Sequence, residues 1–515
     1  MATTLRKTSV ALLLTAAMLA GCASIAPREF TDAKGASTDP VALLNRITWG
    51  ATAASKRDLQ SLGVAAYVDR QLRPEAPRPL PVDAETRVAA MTITRQPLAE
   101  LVMALERRRK EADGIAEDAD KKAAQQAYQQ ELTRLGNEAA TRSLLRTLYS
   151  DRQLQEQMVW FWMNHFSIFQ GKANLRAMIG DFEERAIRPH ALGRFRDLLA
   201  ATVHHPAMLR YLDNEQNAAG RINENYAREL MELHTLGVGG GYTQKDVQEL
   251  ARVLTGLGIN QTDKAPDVRT ELKTQYVRDG LFEFNPNRHD YGDKEFLGQV
   301  VKGRGLAEVD EVIDRLSRDP AAAQYVSRKL ATYFVADTPP PPLVERMARV
   351  FLRSDGNIAD TVRVMIASPE FAASLNGKFK DPVHYVVSAV RLAYGNKVIL
   401  NASPMLGWLN RMGQPVYGRQ TPDGYPQTQT AWASAGQMMT RFEIAKAIGS
   451  GSAGLFKTVG PDPVERAAFP QVANALYYQA IESRLAPATL DALDQAKSPQ
   501  EWNTFLLASP EFMTR

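Results

Sequence analysis

Residues 224–258, ENYARELMELHTLGVGGGYTQKDVQELARVLTGLG, decide the fold class, because their apolar positions recur at helical spacing on both sides of a glycine corner. On a helix over 224–236, Tyr226, Ala227, Leu230, Met231 and Leu233 share one arc, and Glu224, Asn225, Arg228, Glu229, Glu232 and Thr235 share the other. Glu224, Arg228 and Glu232 succeed one another at i, i+4 spacing, so the guanidinium can bridge two carboxylates. Glu229 and Glu232 form an acidic ridge beside it, fit for a cation or a basic partner. His234 falls on the apolar side at the helix end, where it is expected to meet the last carbonyls. Gly237 stops the helix, Gly239 to Gly241 turn the chain, and Thr243 with Asp246 makes a capping box for a second helix. That helix would bury Val247, Leu250, Val253, Leu254 and Leu257. The glycines are no phosphate loop, since Tyr242 and Thr243 stand where Lys and then Ser or Thr are required.

Upstream, MVWFWMNHFSIF at 158–169 is apolar on nearly all sides and too short for a membrane span, which predicts a central buried helix. Asn164 and His165 interrupt it. A buried polar group without a partner costs about 1 to 3 kcal/mol, so both are expected to face an internal polar network or a pocket. His205 precedes Pro206 at a helix–proline corner, which gives it a structural reason to be there; SPEF recurs in the same setting at 368–371 and 509–512. TQYV (274–277) and LFEF (281–284) flank Arg278-Asp279-Gly280 and predict a β-hairpin. The loop from Asn287 to Lys294 follows it and concentrates His289, Asp290 and Lys294. Tyr417, Tyr425 and Trp432, in and after a Pro/Gly-rich loop over 413–426, either line a groove or pin the loop to the core.

The fold expected is mainly α: a multi-helix globular body over 39–515, with a small β-hairpin insertion near 274–299 and a charged helical arm near 96–136 broken at Gly114. Caps are read at Asp39 and Ser55, a stop at Gly63, and a linker from Pro74 to Pro81.

Residues 1–21 read as an export signal, with Arg6 and Lys7 before an apolar run that ends in Leu19-Ala20-Gly21-Cys22. This ending predicts a lipoprotein in which Cys22 is acylated and residues 22–38 form a tether. Ala23 after the cysteine points to an outer-membrane anchor facing the periplasm. Cys22 is the only cysteine, so its acylation leaves no thiol for a disulfide, a metal site or a nucleophile. The formal charge of +4 falls to +2 once Arg6 and Lys7 leave with the signal, which gives no electrostatic case for nucleic acid.

The stretch at 223–256 resembles the hallmark of a large bacterial family of secreted proteins, domain of unknown function 1800. LLNRITWG (43–50), WFWMNHFSI (160–168), HHPAMLRYLDN (204–214), HDYGDKEFLG (289–298), SPEF (368–371) and GQP (413–415) fit the same family, so the resemblance spans most of the mature chain. It implies no established activity. It implies a partner, a secreted protein of a second family, domain of unknown function 1501. His234 and Leu257 stand where that family often carries Phe or Tyr and Trp, which speaks against His234 as a shared catalytic residue.

No G-x-S-x-G elbow, H-E-x-x-H pair or dinucleotide fingerprint is present, and Met231 rather than Glu stands three residues before His234. What survives is a set that only folding can assemble. As catalytic residues it offers His165, His289, Asp290 and Glu229, and as ligands of one divalent ion His165, His289, Glu229 and Glu232. Asn164, His205, Glu224, Arg228 and Lys294 would support them. Two functions follow: an envelope enzyme using a His/carboxylate pocket, or a non-catalytic lipoprotein that binds or assembles with a secreted partner.

Overall fold

In a computed structural model of the protein, the described residues are 39–73, 79–457 and 469–515. The signal, Cys22 and the tether lie outside them, as does the linker from Pro74 to residue 78. The hub is the helix Gln153–His165, which buries Leu154, Met158, Val159, Phe161 and Trp162, as its all-round apolar pattern predicts. Helices surround it, and the architecture is mainly α with two small antiparallel sheets. Among the described residues no helix is long and apolar enough to cross a membrane.

Arg46 joins the beginning, middle and end of this body. It sits in the helix Pro40–Ile47, capped by Asp39 as expected, and its guanidinium is fully buried. It donates to Phe334 O (2.6 Å), Ser374 Oγ (2.7 Å), Ser374 O (2.5 Å) and Arg515 O (2.6 Å). Burial lowers its pKa to about 9, so these carbonyls stand in for the water it has lost. The Arg515 side chain continues the junction to Gln157 Oε1 (3.1 Å) and Tyr333 O (2.8 Å).

The charged arm is a helical hairpin, Leu98–Asp113 and Asp118–Tyr149, broken at Gly114. Its tip is exposed, whereas Leu132, Leu135, Ala139 and Leu145 bury the far half of the second helix. Arg109 pairs with Glu106 and Asp113 along the tip, contacts that at such exposure contribute a few tenths of a kcal/mol. The cap read at Ser55 belongs instead to Thr52, with Ser55 returning the bond from the third helical position; two hydroxyls at this spacing fit either role.

The defining hairpin departs from a regular helix in one place. Asn225–Glu229 is α-helical, but Leu230–Thr235 widens into a π-turn in which the Leu236 and Gly237 N–H groups both reach Met231 O (2.8 and 3.2 Å). The extra residue in the turn rotates everything after it. Thr235, predicted on the polar arc, is fully buried with Oγ1 donating to Leu230 O (2.6 Å), and His234 is fully buried as well. The second helix, Gln244–Val253, starts at the expected box, Asp246 N–H donating to Thr243 Oγ1 (3.2 Å) and Thr243 N–H to Asp246 Oδ2 (2.8 Å).

Leu257 does not extend that helix. Gly256, at φ +86°, turns the chain, and Leu257 opens strand β1 (Leu257–Ile259). The predicted hairpin is β2 (Val277–Asp279) and β3 (Phe282–Phe284), with β3 central in the order β1-β3-β2. Asp279 faces Phe282, so the turn residues are Gly280 and Leu281, one place later than the spacing suggested. A second ribbon pairs β4 (Lys294–Phe296) with β5 (Gln299–Val301). Thr243→Ala removes the bonds of the capping hydroxyl, keeping the backbone N–H bond to Asp246, and is expected to destabilise the fold by about 1 kcal/mol, read as a lower midpoint at unchanged slope in urea unfolding.

Candidate functional site

The residues proposed from the sequence fall into two unlike neighbourhoods. His289 and Lys294 are fully buried rather than presented on a surface loop. His289 Nε2 lies 2.9 Å from Glu308 Oε1, and its Nδ1 lies 2.8 Å from Thr255 O and 3.1 Å from Thr255 Oγ1. Lys294 Nζ donates to Glu308 Oε2 (2.5 Å, both side chains buried) and to Asp290 O. Asp290 itself takes Arg252 Nε at 2.8 Å and the Gly292 N–H at 2.9 Å, and the Arg252 bond lowers its pKa. Every chemical atom of this loop is committed to the fold. The structure places His289 and Asp290 in this hydrogen-bonded knot.

Burial alone would raise the Glu308 pKa, but the hydrogen bonds from His289, Lys294 and the Arg304 N–H outweigh it and hold the carboxyl below its ordinary value. A depressed carboxyl contributes stability above its unfolded pKa of about 4.3 and loses it as pH falls through the folded value. Glu308→Gln leaves the Lys294 ammonium buried without a countercharge. It is expected to cost about 3 to 5 kcal/mol at neutral pH and to flatten the acid limb of stability below about pH 4.5, measured by denaturant unfolding across pH.

His165 shares no partner with His289. Its ring packs among Phe161, Trp162, Phe166 and Tyr325, with the His234 ring centre 6.1 Å away. Nε2 is 3.0 Å from the His234 carbonyl, which can only accept, so Nε2 carries the proton and Nδ1 presents a bare lone pair. That Nδ1, both ring nitrogens of His234 and the Tyr226 hydroxyl are buried without a hydrogen-bond partner. The Tyr226 and His234 rings are 6.5 Å apart, so the orphaned atoms form one group. Burial, then the Lys329 charge, holds both imidazoles neutral, with the His234 pKa lowered to about 3. The aromatic position that weighed against His234 is thus filled here by a buried, uncommitted imidazole.

A polar rim adjoins this group. Glu229 and Glu232 are half-buried on the hallmark helix, and burial, then the Glu232 charge, raises the Glu229 pKa. The charge of Asp423, on a second segment, acts on both Glu229 and Lys329. Lys329 lies in the helix Pro320–Phe334, 5.5 Å from the Tyr325 ring centre, and burial lowers its pKa to about 8. Asn164 holds the 413–426 loop, which carries Asp423, against this rim: its Oδ1 accepts from Tyr425 N–H (2.6 Å) and its Nδ2 donates to Tyr425 O (3.0 Å). Gly424, at φ +77°, allows the approach, since a Cβ there would lie 2.2 Å from Asn164 O. Beside it Trp160, Asn164, Arg419 and Tyr425 line a cavity of about 20 Å³, enough for one water.

The remaining candidates have structural partners. His205 caps the helix Pro206–Tyr211 by accepting from Ala207 N–H (3.1 Å), and its Nε2 faces Asp181 (3.2 Å). Arg228 bonds Glu224 (3.1 Å) and Gln244 (2.9 Å) at the surface and does not bridge to Glu232. Tyr417, Tyr425 and Trp432 pin their loop through Glu183, Pro415 O and Pro426 O. Among the described residues no group of three or more His, Cys, Asp and Glu is placed to hold a metal ion, so His165, His289, Glu229 and Glu232 do not form a ligand set. Lys329, Tyr226 and Asp423 are what sequence reasoning missed; each looks ordinary until three segments meet.

No curated protein and no solved structure matches the chain. The family model described as Protein of unknown function (DUF1800) matches residues 42–514, nearly the whole sequence, and it is the family to which this chain belongs.

Proposed function

We propose that the protein is a lipid-anchored envelope enzyme that performs general acid–base chemistry at the rim formed by Glu229, Glu232, Asp423 and Lys329. The observation that carries this reading is the group of buried polar atoms without partners, His165 Nδ1, both His234 nitrogens and the Tyr226 hydroxyl, within reach of the Lys329 charge at that rim. A fold that satisfies His289 completely leaves these atoms open, and such atoms are retained where chemistry uses them. Glu229, with its raised pKa, is the base, and Lys329, at about 8, is the acid. Cys22 at the end of the leader supports the anchor.

The test incubates the protein with envelope extract and follows its components by mass spectrometry. Wild type is expected to convert at least one species, with Glu229→Gln and Lys329→Met each slower by about 10²- to 10⁴-fold at unchanged melting temperature. The rate should rise as Glu229 ionises and fall as Lys329 loses its proton near pH 8. Conversion of nothing by wild type sinks the enzyme reading. Cys22→Ala is expected to move the protein from the detergent phase to the aqueous phase on Triton X-114 partitioning, and an unchanged distribution refutes the anchor.

The exposed tip of the helical arm favours a second reading, assembly with a secreted partner of the domain of unknown function 1501 family. Charge reversal of Arg107, Arg108 and Lys110 is then expected to abolish co-purification of that partner, with Glu229→Gln leaving it intact.

A further inference from the structure

A second cavity, of about 210 Å³, lies where the N-terminal helix meets the C-terminal segment. Val41, Leu392, Leu485, Leu506 and Phe512 supply apolar wall, and Lys380, Arg484 and the carboxylate of Glu511 supply polar wall. Lys380 is only 4% exposed. Its Nζ sits 3.7 Å from the centre of the Phe512 ring and has no hydrogen bond or ion pair among the described residues. Every nearby carboxylate is engaged elsewhere. Asp381 accepts from the His384 N–H and faces its Nδ1, both at 2.9 Å. Glu511 accepts from Ala486 N–H (2.8 Å) and Thr489 Oγ1 (3.0 Å), and Asp39 pairs with Arg484 while capping its own helix. The guanidinium groups of Arg441 and Arg515 add positive charge behind Lys380, and burial together with these two pushes its ammonium well below the usual lysine range. Left alone, such an amine sheds its proton, and an anion placed in the cavity would restore the ammonium and gain a buried ion pair.

We infer that this cavity binds a small carboxylate with an apolar tail, its carboxylate meeting Lys380 and Arg484 and its tail lying along Leu392, Leu485 and Leu506. The volume equals that of about seven waters, which sets the whole ligand, carboxyl included, at roughly eight heavy atoms of chain. The site is separate from the Glu229 rim and holds whether or not that rim is catalytic.

Equilibrium dialysis of radiolabelled octanoate tests it, using the full chain in lipid nanodiscs with empty nanodiscs as blank. Wild type is expected to bind saturably at one site, with 1-octanol at least tenfold weaker. Lys380→Met should lower octanoate affinity at least tenfold, and Leu485→Trp, which fills the cavity without touching a charge, should abolish binding. Absence of saturable binding overturns the inference, as does octanol binding equal to octanoate, or unchanged affinity in either variant. Should Lys380→Met fail to fold, Leu485→Trp and the octanol comparison decide.

Discussion

Removing a guanidinium from water is unfavourable unless the protein returns its hydrogen bonds, and Arg46 is the point at which this body meets that condition. Its acceptors belong to segments near residues 334, 374 and 515, so satisfying one side chain brings three distant parts of the chain onto the N-terminal helix. Arg188 solves the same problem differently, with Glu156, Glu183 and Glu184 as counter-ions, beside another π-turn, Phe182–Ile187. Buried guanidinium groups thus brace the interior at these two points, through carbonyls at Arg46 and carboxylates at Arg188, and the hydrophobic helices pack around them.

Against that background, two histidines with similar burial mean different things. His289 has an acceptor for each ring nitrogen and ties its own loop to the turn at Thr255 and to the helix Leu306–Ser317. His165 has one partner, and His234 has none for its ring. The π-turn is what links them, because the wider turn carries the His234 carbonyl to His165 and tucks the His234 ring under the acidic ridge. A hallmark segment that folds with a local irregularity, beside unsatisfied polar atoms, departs from consistency where a site would.

The sequence made the helices legible wherever pattern and punctuation agreed: the capping box of Thr243 and Asp246, the break at Gly114, the all-round apolar run of 158–169 and the paired strands near 280. It concealed what depends on geometry at long range. Helical spacing assumes a constant turn, so the burial of Thr235 could not be read from residues 224–236. The polar composition of 287–294 looked like an exposed loop, because Glu308, which draws His289 and Lys294 inward, becomes their neighbour only on folding. Lys329 carried no signal in its own helix, and its lowered pKa arises from burial among segments far apart in sequence.

The junction at residue 515 also sets how far a local disturbance would spread. The Arg515 carbonyl accepts from Arg46, its N–H donates to Lys378 O, and its side chain reaches Gln157 and Tyr333. Loosening this one residue would leave the Arg46 guanidinium short of an acceptor and free a brace of the central helices, so fraying here would be felt at the N-terminal helix rather than stay local.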